Sequence, residues 1–207
     1  MDTETFEGSQ TETTSKDRTD HADAWLGTQL RALRAARGLS IRKLANKAGV
    51  SVGLVSQIEN GVTSPSIKSL RQISEALGVP VRAFFDEPAQ PPTAEMGVIV
   101  RAPQRRLLNL RTKGVLKELL TPDLTGDLEV LMVHVAPGGS SGPEMYTHPG
   151  EEAGYILEGT MALFVENNEF NLEAEDAFRF KSTRPHRFEN AGTTDLKLIW
   201  VISPPIY

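Results

Sequence analysis

The sequence predicts a two-domain protein of the α + β class, in which a helical domain precedes an antiparallel β-barrel or jelly roll. Apolar residues recur at helical spacing up to residue 85, and at the alternating spacing of strands from residue 98 onward. Residues 86–97 contain three prolines and few large apolar side chains, which is typical of an extended linker. The net charge also differs between the parts, because residues 23–85 carry +6 in a chain of −5.

The composition limits the classes of protein to consider. The chain has no cysteine, which excludes disulfides and thiolate metal sites. No apolar run approaches the roughly 18 residues that a membrane span needs, and the acidic start lacks the form of a signal peptide. We therefore expect a cytoplasmic protein without a membrane partner. Residues 1–22 are polar and acidic, and we expect a disordered arm there.

Five helices are predicted within residues 23–85. The first runs over 23–37 with a leucine stripe, and Gly38 ends it. Ser40 and Ser51 are suited to cap the second and third helices, with Gly49 in the turn between them. A fourth helix opens at Pro65-Ser66, and residues 81–85 form a short fifth helix that adds aromatic side chains to the core.

The start of the third helix is suited to reading bases in the DNA major groove. Leu54, Val55 and Ile58 form its inward stripe, which leaves other residues facing outward. These outward residues are Val52, Gly53, Ser56 and Gln57. The glutamine amide can make a bidentate contact with adenine, and the valine can touch a thymine methyl group.

Positive charge around this helix points to phosphate contacts. Residues 23–85 contain nine Arg and Lys against three acidic residues. Charge alone fits a helical bundle with solvated side chains equally well, but together with the paired helices it favours DNA. The predicted phosphate contacts are Arg42, Lys43, Thr63, Ser64 and Lys68. Ser51 and Asn60, at the two ends of the third helix, are also assigned to the DNA-binding surface.

The second domain, residues 98–207, is predicted to consist of short antiparallel strands separated by turns. The predicted strands are Val98–Arg101, Val115–Leu120, Leu128–Val135, Gly154–Leu157, Met161–Glu166, Asp176–Phe180, Arg187–Glu189 and Leu196–Ile202. No nucleophile with a neighbouring base and no phosphate-binding glycine loop is evident, so we assign no catalytic residue.

Residues 23–85 resemble the XRE family of repressor-type helix-turn-helix domains, whose fold is lambda-repressor-like. The matching segments are LSIRKLANKAGVS, LVSQIENG, the PS before the fourth helix and LRQISEALGVP. The resemblance implies binding to double-stranded operator DNA, with the third helix in the groove.

Residues 98–207 resemble the cupin sensor domains that often follow such a module. The segment MYTHPGEEAGYILEGT corresponds to the first cupin motif and RPHRFEN to the second. The resemblance implies that His148, Glu152 and His186 stand at metal-ligand positions, while Tyr146 replaces one histidine ligand. Glu175 stands where a glycine is usual, and Lys181 and Thr183 replace a proline-glycine pair.

Two interpretations of this group remain open. Two imidazoles and one carboxylate can hold a divalent metal such as Fe(II), with Zn, Mn or Ni as alternatives. Alternatively, His148, Glu152 and His186 bond one another and a polar ligand in a metal-free cavity. Tyr146 is a poor ligand at neutral pH because its phenol has a pKa near 10, but it can hydrogen-bond a ligand.

The sequence therefore predicts a non-enzymatic transcriptional regulator whose cupin domain senses a small-molecule effector. A homodimer is expected, since one small module contacts too few base pairs for specific reading. The alternative is a mononuclear non-haem iron enzyme of the cupin type with a vestigial helix-turn-helix domain.

Overall fold

The computed structural model describes residues 25–85, 95–123 and 126–205. The predicted arm and most of the predicted linker lie outside these residues. Within them, four α-helices form the first domain: α1 at 25–36, α2 at Ile41–Ala48, α3 at Val52–Glu59 and α4 at Ile67–Leu77.

The predicted five-helix count is wrong in one respect, because the fifth element is a single 3-10 turn at Val81–Phe84. Four residues are too few for a stable α-helical turn, and the bonds observed there span three residues. Val81 and Phe84 are nevertheless buried in the helical core, as is Phe85. The aromatic contribution to the core is therefore as expected.

Serine caps fix the starts of three helices. The hydroxyl of Ser40 accepts a bond from the backbone N–H of Lys43 at 3.2 Å, and Ser51 and Ser66 cap α3 and α4 in the same way. Each such cap contributes about 1 kcal/mol to helix stability. Gly49 ends α2 with a φ of 67°, a left-handed conformation that turns the chain into α3.

A buried ion pair ties α1 to the end of α3. The carboxylate of Glu59, only 6% exposed, accepts bonds from Nε and Nη2 of Arg34 at 2.6 and 2.9 Å. The remaining Nη1 of Arg34 donates to the carbonyl of Leu39 at 2.7 Å. This bidentate geometry fixes the direction of α3 relative to the rest of the domain.

Two antiparallel sheets form the second domain. The larger sheet has the order β1-β2-β3-β9-β4-β7 and the smaller one has the order β6-β5-β8. The strands are β1 Leu107–Leu110, β2 Val115–Leu119, β3 Glu129–Val135, β4 Glu151–Glu158, β5 Met161–Val165, β6 Asn168–Leu172, β7 Ala177–Lys181, β8 His186–Glu189 and β9 Leu196–Ser203.

Seven of the eight predicted strands are present and one is wrong. The apolar run at 98–101 lies outside both sheets, and Val98 is 76% exposed. Two strands were not predicted: β1, which has no clear alternation, and β6, which is polar and largely exposed. In β2, β3 and β9 the strict alternation of buried and half-buried residues matches the predicted period of two.

Glu175, where the resemblance to cupins leads us to expect a glycine, has a strained backbone conformation. Its φ of 76° lies in the left-handed region, where an L side chain is strained by about 1–2 kcal/mol. We expect Glu175→Gly to raise the free energy of unfolding by about 0.5–1 kcal/mol, because the relieved strain exceeds the entropy that glycine adds to the unfolded chain. Urea unfolding measures this, with Glu173→Gly as the control outside the left-handed region. Equal effects of both variants would contradict the explanation.

The two domains meet where α4 packs on the β3–β4 loop, residues 136–150. The backbone N–H of Ile67 donates to the carbonyl of Ser141 at 3.0 Å. The amine of Lys68 lies 2.6 Å from the carboxylate of Glu144. A Cβ added at Gly142, whose φ is 119°, would lie 2.7 Å from the Cβ of Ser66. The helix and the loop are therefore in direct backbone contact.

A second contact joins the segment after α3 to the 3-10 turn between β1 and β2. The backbone N–H of Ser64 donates to the hydroxyl of Thr112 at 2.8 Å. In return, the backbone N–H of Thr112 donates to the hydroxyl of Ser64 at 3.3 Å. The hydroxyls of Thr63 and Thr112 are 3.2 Å apart. The second domain thus holds the segment that follows the third helix.

Candidate functional site

The start of α3 is open to solvent in the two-domain chain. Ser51, Val52, Gly53 and Gln57 are exposed, and Ser56 is half-buried. Val52 is 44% exposed, which is unusual for a valine in a helix that packs on a core. None of the described residues of the second domain covers this surface, so it is accessible to a large partner.

The structure divides the residues that were predicted to contact DNA phosphates into two groups. Arg42 and Lys43 are exposed at the start of α2. The others are engaged within the protein: Lys68 pairs with Glu144, and Thr63 and Ser64 bond with Thr112. The predicted residues therefore do not form one continuous free surface in this arrangement of the domains.

Arg31 is a residue at this surface that the sequence analysis did not identify. Its Nη2 donates to the carbonyl of Glu59 at 3.0 Å and to the side-chain oxygen of Asn60 at 2.7 Å. Asn60, which was predicted to contact DNA, is therefore bonded to Arg31 of α1 at the end of α3. The sequence does give an indication, because Glu59 is an acid that continues the buried stripe of α3.

In the second domain, His148, Glu152 and His186 come together although the last is far away in sequence. Their ligand atoms all lie within 4.8 Å of one another. Both Nε2 atoms face Oε1 of Glu152, the one from His186 at 3.5 Å. Glu152 lies on β4, His186 begins β8, and His148 lies in the β3–β4 loop. All three side chains are buried.

The backbone fixes the tautomer of both histidines. Nδ1 of His148 lies 3.0 Å from the carbonyl of Pro149, and Nδ1 of His186 lies 2.8 Å from that of Arg184. A carbonyl oxygen only accepts, so Nδ1 carries the proton in each ring. In the neutral rings both Nε2 lone pairs then point at a carboxylate, and among the described residues neither has a hydrogen-bond partner. A proton on Nε2 or a bound divalent cation would relieve this repulsion.

Glu152 is held in its charged form. Burial alone would raise the pKa of this carboxyl, but hydrogen bonds and positive charge from His148 and His186, protonated at Nε2, outweigh burial and hold the pKa at about 2. Its other oxygen, Oε2, accepts a bond from the indole N–H of Trp200 at 3.0 Å. The tryptophan therefore orients the carboxylate. With Nε2 deprotonated in both rings, the two imidazole nitrogens and this carboxylate form a set that fits a divalent metal.

Comparison with known proteins identifies both domains. A family model described as Helix-turn-helix matches residues 30–84, and one described as Cupin domain matches residues 131–202. The HTH-type transcriptional regulator PuuR of Escherichia coli (strain K12) is 29% identical over 184 residues, which cover 87% of this chain and 96% of PuuR. The regulator SutR of the same organism is 27% identical over 168 residues, 81% of this chain and 88% of SutR.

The chain combines an XRE-type helix-turn-helix domain with a cupin domain. A solved structure of an HTH_3 family transcriptional regulator from Vibrio cholerae agrees in fold, with a TM-score of 0.59 at 24% identity. The alignment covers 90% of this chain and 99% of that chain. Among the described residues, no helix has the length and apolar character of a membrane span.

Tyr146 stands beside the group formed by His148, Glu152 and His186. Its ring centroid lies 4.3 Å from that of His186, edge to face, and its backbone exchanges hydrogen bonds of 3.0 Å with the same residue. The tyrosine is 8% exposed. It therefore forms one wall of the metal-type site and separates that site from the surface near α4.

Lys117 is a buried cupin residue that the sequence analysis missed. It lies on the inward face of β2 and is 4% exposed. Burial lowers the pKa of Lys117 to about 8, the carboxylates of Glu129 and Glu152 oppose this shift, and the charge of Arg71 adds to it. The regular alternation of β2 would have shown that this lysine points inward.

Proposed function

We propose that this protein is a sequence-specific transcriptional regulator that reads DNA with the start of α3 and binds a small-molecule effector in its cupin domain. The observation that carries the proposal is the exposed polar start of α3 on a domain of net charge +6, with the cupin domain attached. Gln57 reads an adenine, Val52 meets a thymine methyl, and Arg42 and Lys43 bind phosphates.

Specific reading by this protein requires two helical domains. A domain of this size covers one short half-site, so a homodimer on a pseudo-palindrome supplies the remaining contacts. The two copies of α3 then lie about one helical turn of DNA apart, or a multiple of that distance. Lys68, Thr63 and Ser64 join the phosphate contacts when the cupin domain releases them.

Effector binding alters operator affinity through the β3–β4 loop. This loop carries His148 at the cupin site and Ser141 and Glu144 at the contact with α4. A ligand that shifts the loop therefore changes the position of the helical domain. Coupling of this kind requires that the ligand bind the two arrangements with different affinity.

His148, Glu152 and His186 would hold a divalent metal ion in the cupin site. When bound, the ion supplies positive charge and open coordination positions for a ligand atom. Trp200 fixes the carboxylate, and the carbonyls of Pro149 and Arg184 fix the imidazoles, so the three donors are already oriented.

The same three residues support a second candidate function, a mononuclear iron enzyme. Two buried imidazole nitrogens and one carboxylate oxygen are the ligands of non-haem Fe(II) sites. Oxygen consumption by the iron-loaded protein, without retention of DNA at low salt, would favour the enzyme. Retention of DNA that weakens steeply with added salt would favour the regulator.

The test of the regulator compares two variants of the DNA surface on a library of operator sequences. Gln57→Ala should remove about 1–3 kcal/mol of discrimination at one base position and leave the other positions unchanged. Lys43→Ala should weaken binding to all sequences equally and lower the slope of affinity against salt by about one. An unchanged sequence preference in Gln57→Ala would contradict the assignment of α3 as the reading helix.

A further inference from the structure

A cleft of about 440 Å³ lies between the helical domain and the cupin domain. One wall is a single face of α4, formed by Lys68, Arg71, Gln72 and Glu75. The other wall contains Met145, Tyr146, Thr147 and Pro185. The volume suits a small metabolite, and the walls combine apolar side chains with a few polar groups, as ligand sites do.

Arg71 has no acceptor for its charge among the described residues. Its Nη1 is buried and makes no hydrogen bond there. Lys68, one turn earlier on α4, already pairs with Glu144, and Glu75, one turn later, forms no ion pair with Arg71. A buried guanidinium N–H without an acceptor lowers the stability of the protein. A ligand oxygen that accepts this hydrogen bond would remove that penalty, since the described residues provide no acceptor.

The positive charge of Arg71 also affects a buried group of the cupin domain. It contributes to lowering the pKa of Lys117, which lies on the inward face of β2. On the other wall of the cleft, Tyr146 packs against the ring of His186. Arg71 therefore lines the same cleft as a residue that packs on the cupin site, although it belongs to the helical domain.

We propose that this cleft binds the carboxylate group of a small organic acid, and that Arg71 is the residue that recognises it. A guanidinium binds a planar carboxylate through two parallel hydrogen bonds. A single free guanidinium, with Glu75 on the same wall, suits one negative charge better than the two of a phosphate. The apolar part of the acid packs on Met145, Pro185 and the ring of Tyr146.

The position of the cleft gives this site a regulatory consequence, which rests on the proposed function. The acid would contact α4 through Arg71 and the β3–β4 loop through residues 145–147. Since α4 packs against α2 in the helix-turn-helix domain, the acid would favour one arrangement of the two domains. Binding of DNA and of the acid would then be coupled.

The probe pair for the test is benzoate and its neutral counterpart benzamide, with acetate and inorganic phosphate as further anions. Calorimetric titration and thermal unfolding use the full-length protein. We expect benzoate to bind the wild type and raise its melting temperature, and benzamide to do neither. Arg71→Gln should weaken benzoate binding at least tenfold, and Arg71→Lys, which keeps the charge without the fork, should weaken it less.

Two controls separate recognition from a structural role. Without any acid, Arg71→Gln should unfold at the wild-type temperature or above it, because the unsatisfied guanidinium is gone. Arg37→Gln, an exposed residue of the helical domain away from the cleft, should leave benzoate binding unchanged. Equal benzoate binding by wild type and Arg71→Gln, no binding by either, or tighter binding of phosphate than of benzoate would each overturn the carboxylate site.

DNA binding by the same variants distinguishes this site from the proposed function. Arg71→Gln should retain wild-type affinity for the operator in the absence of acid, but should lose the change in affinity that benzoate causes. If the wild type binds benzoate through Arg71 yet retains no DNA, the site stands and the regulator proposal fails.

Discussion

Arg34→Leu is expected to lower the free energy of unfolding by about 3 kcal/mol, one of the two largest effects that the structure predicts. The side chain of Glu59 is 2% exposed and takes two hydrogen bonds from Arg34. Of the cations that the structure describes, the substitution leaves only the more distant Arg31 beside this buried carboxylate, at 3.5 Å. Breaking a buried pair from one side costs about 3–5 kcal/mol, because the remaining charge stays desolvated.

Urea unfolding of the full chain, followed by helical circular dichroism, measures this effect. Arg37→Leu is the matched control, since Arg37 is exposed just after α1 and, among the described residues, its side chain bonds only the carbonyl of Leu33. The double variant Arg34→Leu with Glu59→Leu should recover most of the loss, because neither charge is then buried. A loss below 1 kcal/mol in the single variant would mean that the pair contributes little.

Glu152→Gln is expected to weaken divalent metal binding at least about a hundredfold, the other large effect. The amide keeps the size of the side chain and an acceptor for Trp200, but loses the negative charge that faces both imidazoles. Dialysis against Fe(II), Mn(II), Ni(II) or Zn(II) and metal analysis give the stoichiometry. A metal present at a hundred times its Kd should stabilise the wild type by about 2.7 kcal/mol.

Glu151→Gln is the matched control for the metal experiment. Glu151 precedes Glu152 on β4, points to the opposite face of the sheet and pairs with Arg179 and Lys181 at the surface. This variant should bind metal like the wild type. If neither the wild type nor Glu151→Gln retains any of the four metals, the three residues instead form a hydrogen-bonded group in a metal-free cupin domain.

The helical domain was predictable because its determinants are local. A serine cap acts on the N–H three residues away, and Gly49 acts on its own φ, so both are evident from a short stretch of sequence. The fifth helix was wrong because Val81 and Phe84 have helical spacing over too few residues to distinguish an α-turn from a 3-10 turn. Apolar residues three positions apart can both be buried in an α-turn and in a 3-10 turn, so this spacing does not distinguish the two.

The β domain was predictable only where one face of a strand is buried. β9 alternates over its whole length and was predicted, whereas β6 is exposed on both faces and gives no alternation. The run at 98–101 is apolar but lies outside the sheets, so hydrophobicity without periodicity was misleading there.

The cupin site was located from its motifs, but its chemistry depends on contacts that the sequence does not reveal. Nothing in the spacing of His148 and Glu152 shows that carbonyl oxygens hold both Nδ1 protons or that Trp200 orients the carboxylate. The role of Lys68 was equally hidden, because Glu144, its partner, lies 76 residues away. These contacts are set by sheet register and domain packing.

The close approach of Gly142 to Ser66 has a practical consequence for protein engineering. Exchanging the effector module at the linker would treat the two halves as independent. Here even one methyl group at Gly142 would force Ser66 or the loop to shift, so a chimera needs matching surfaces on both sides of the contact. The exchangeable unit would be the effector module together with the face of α4 on which it rests.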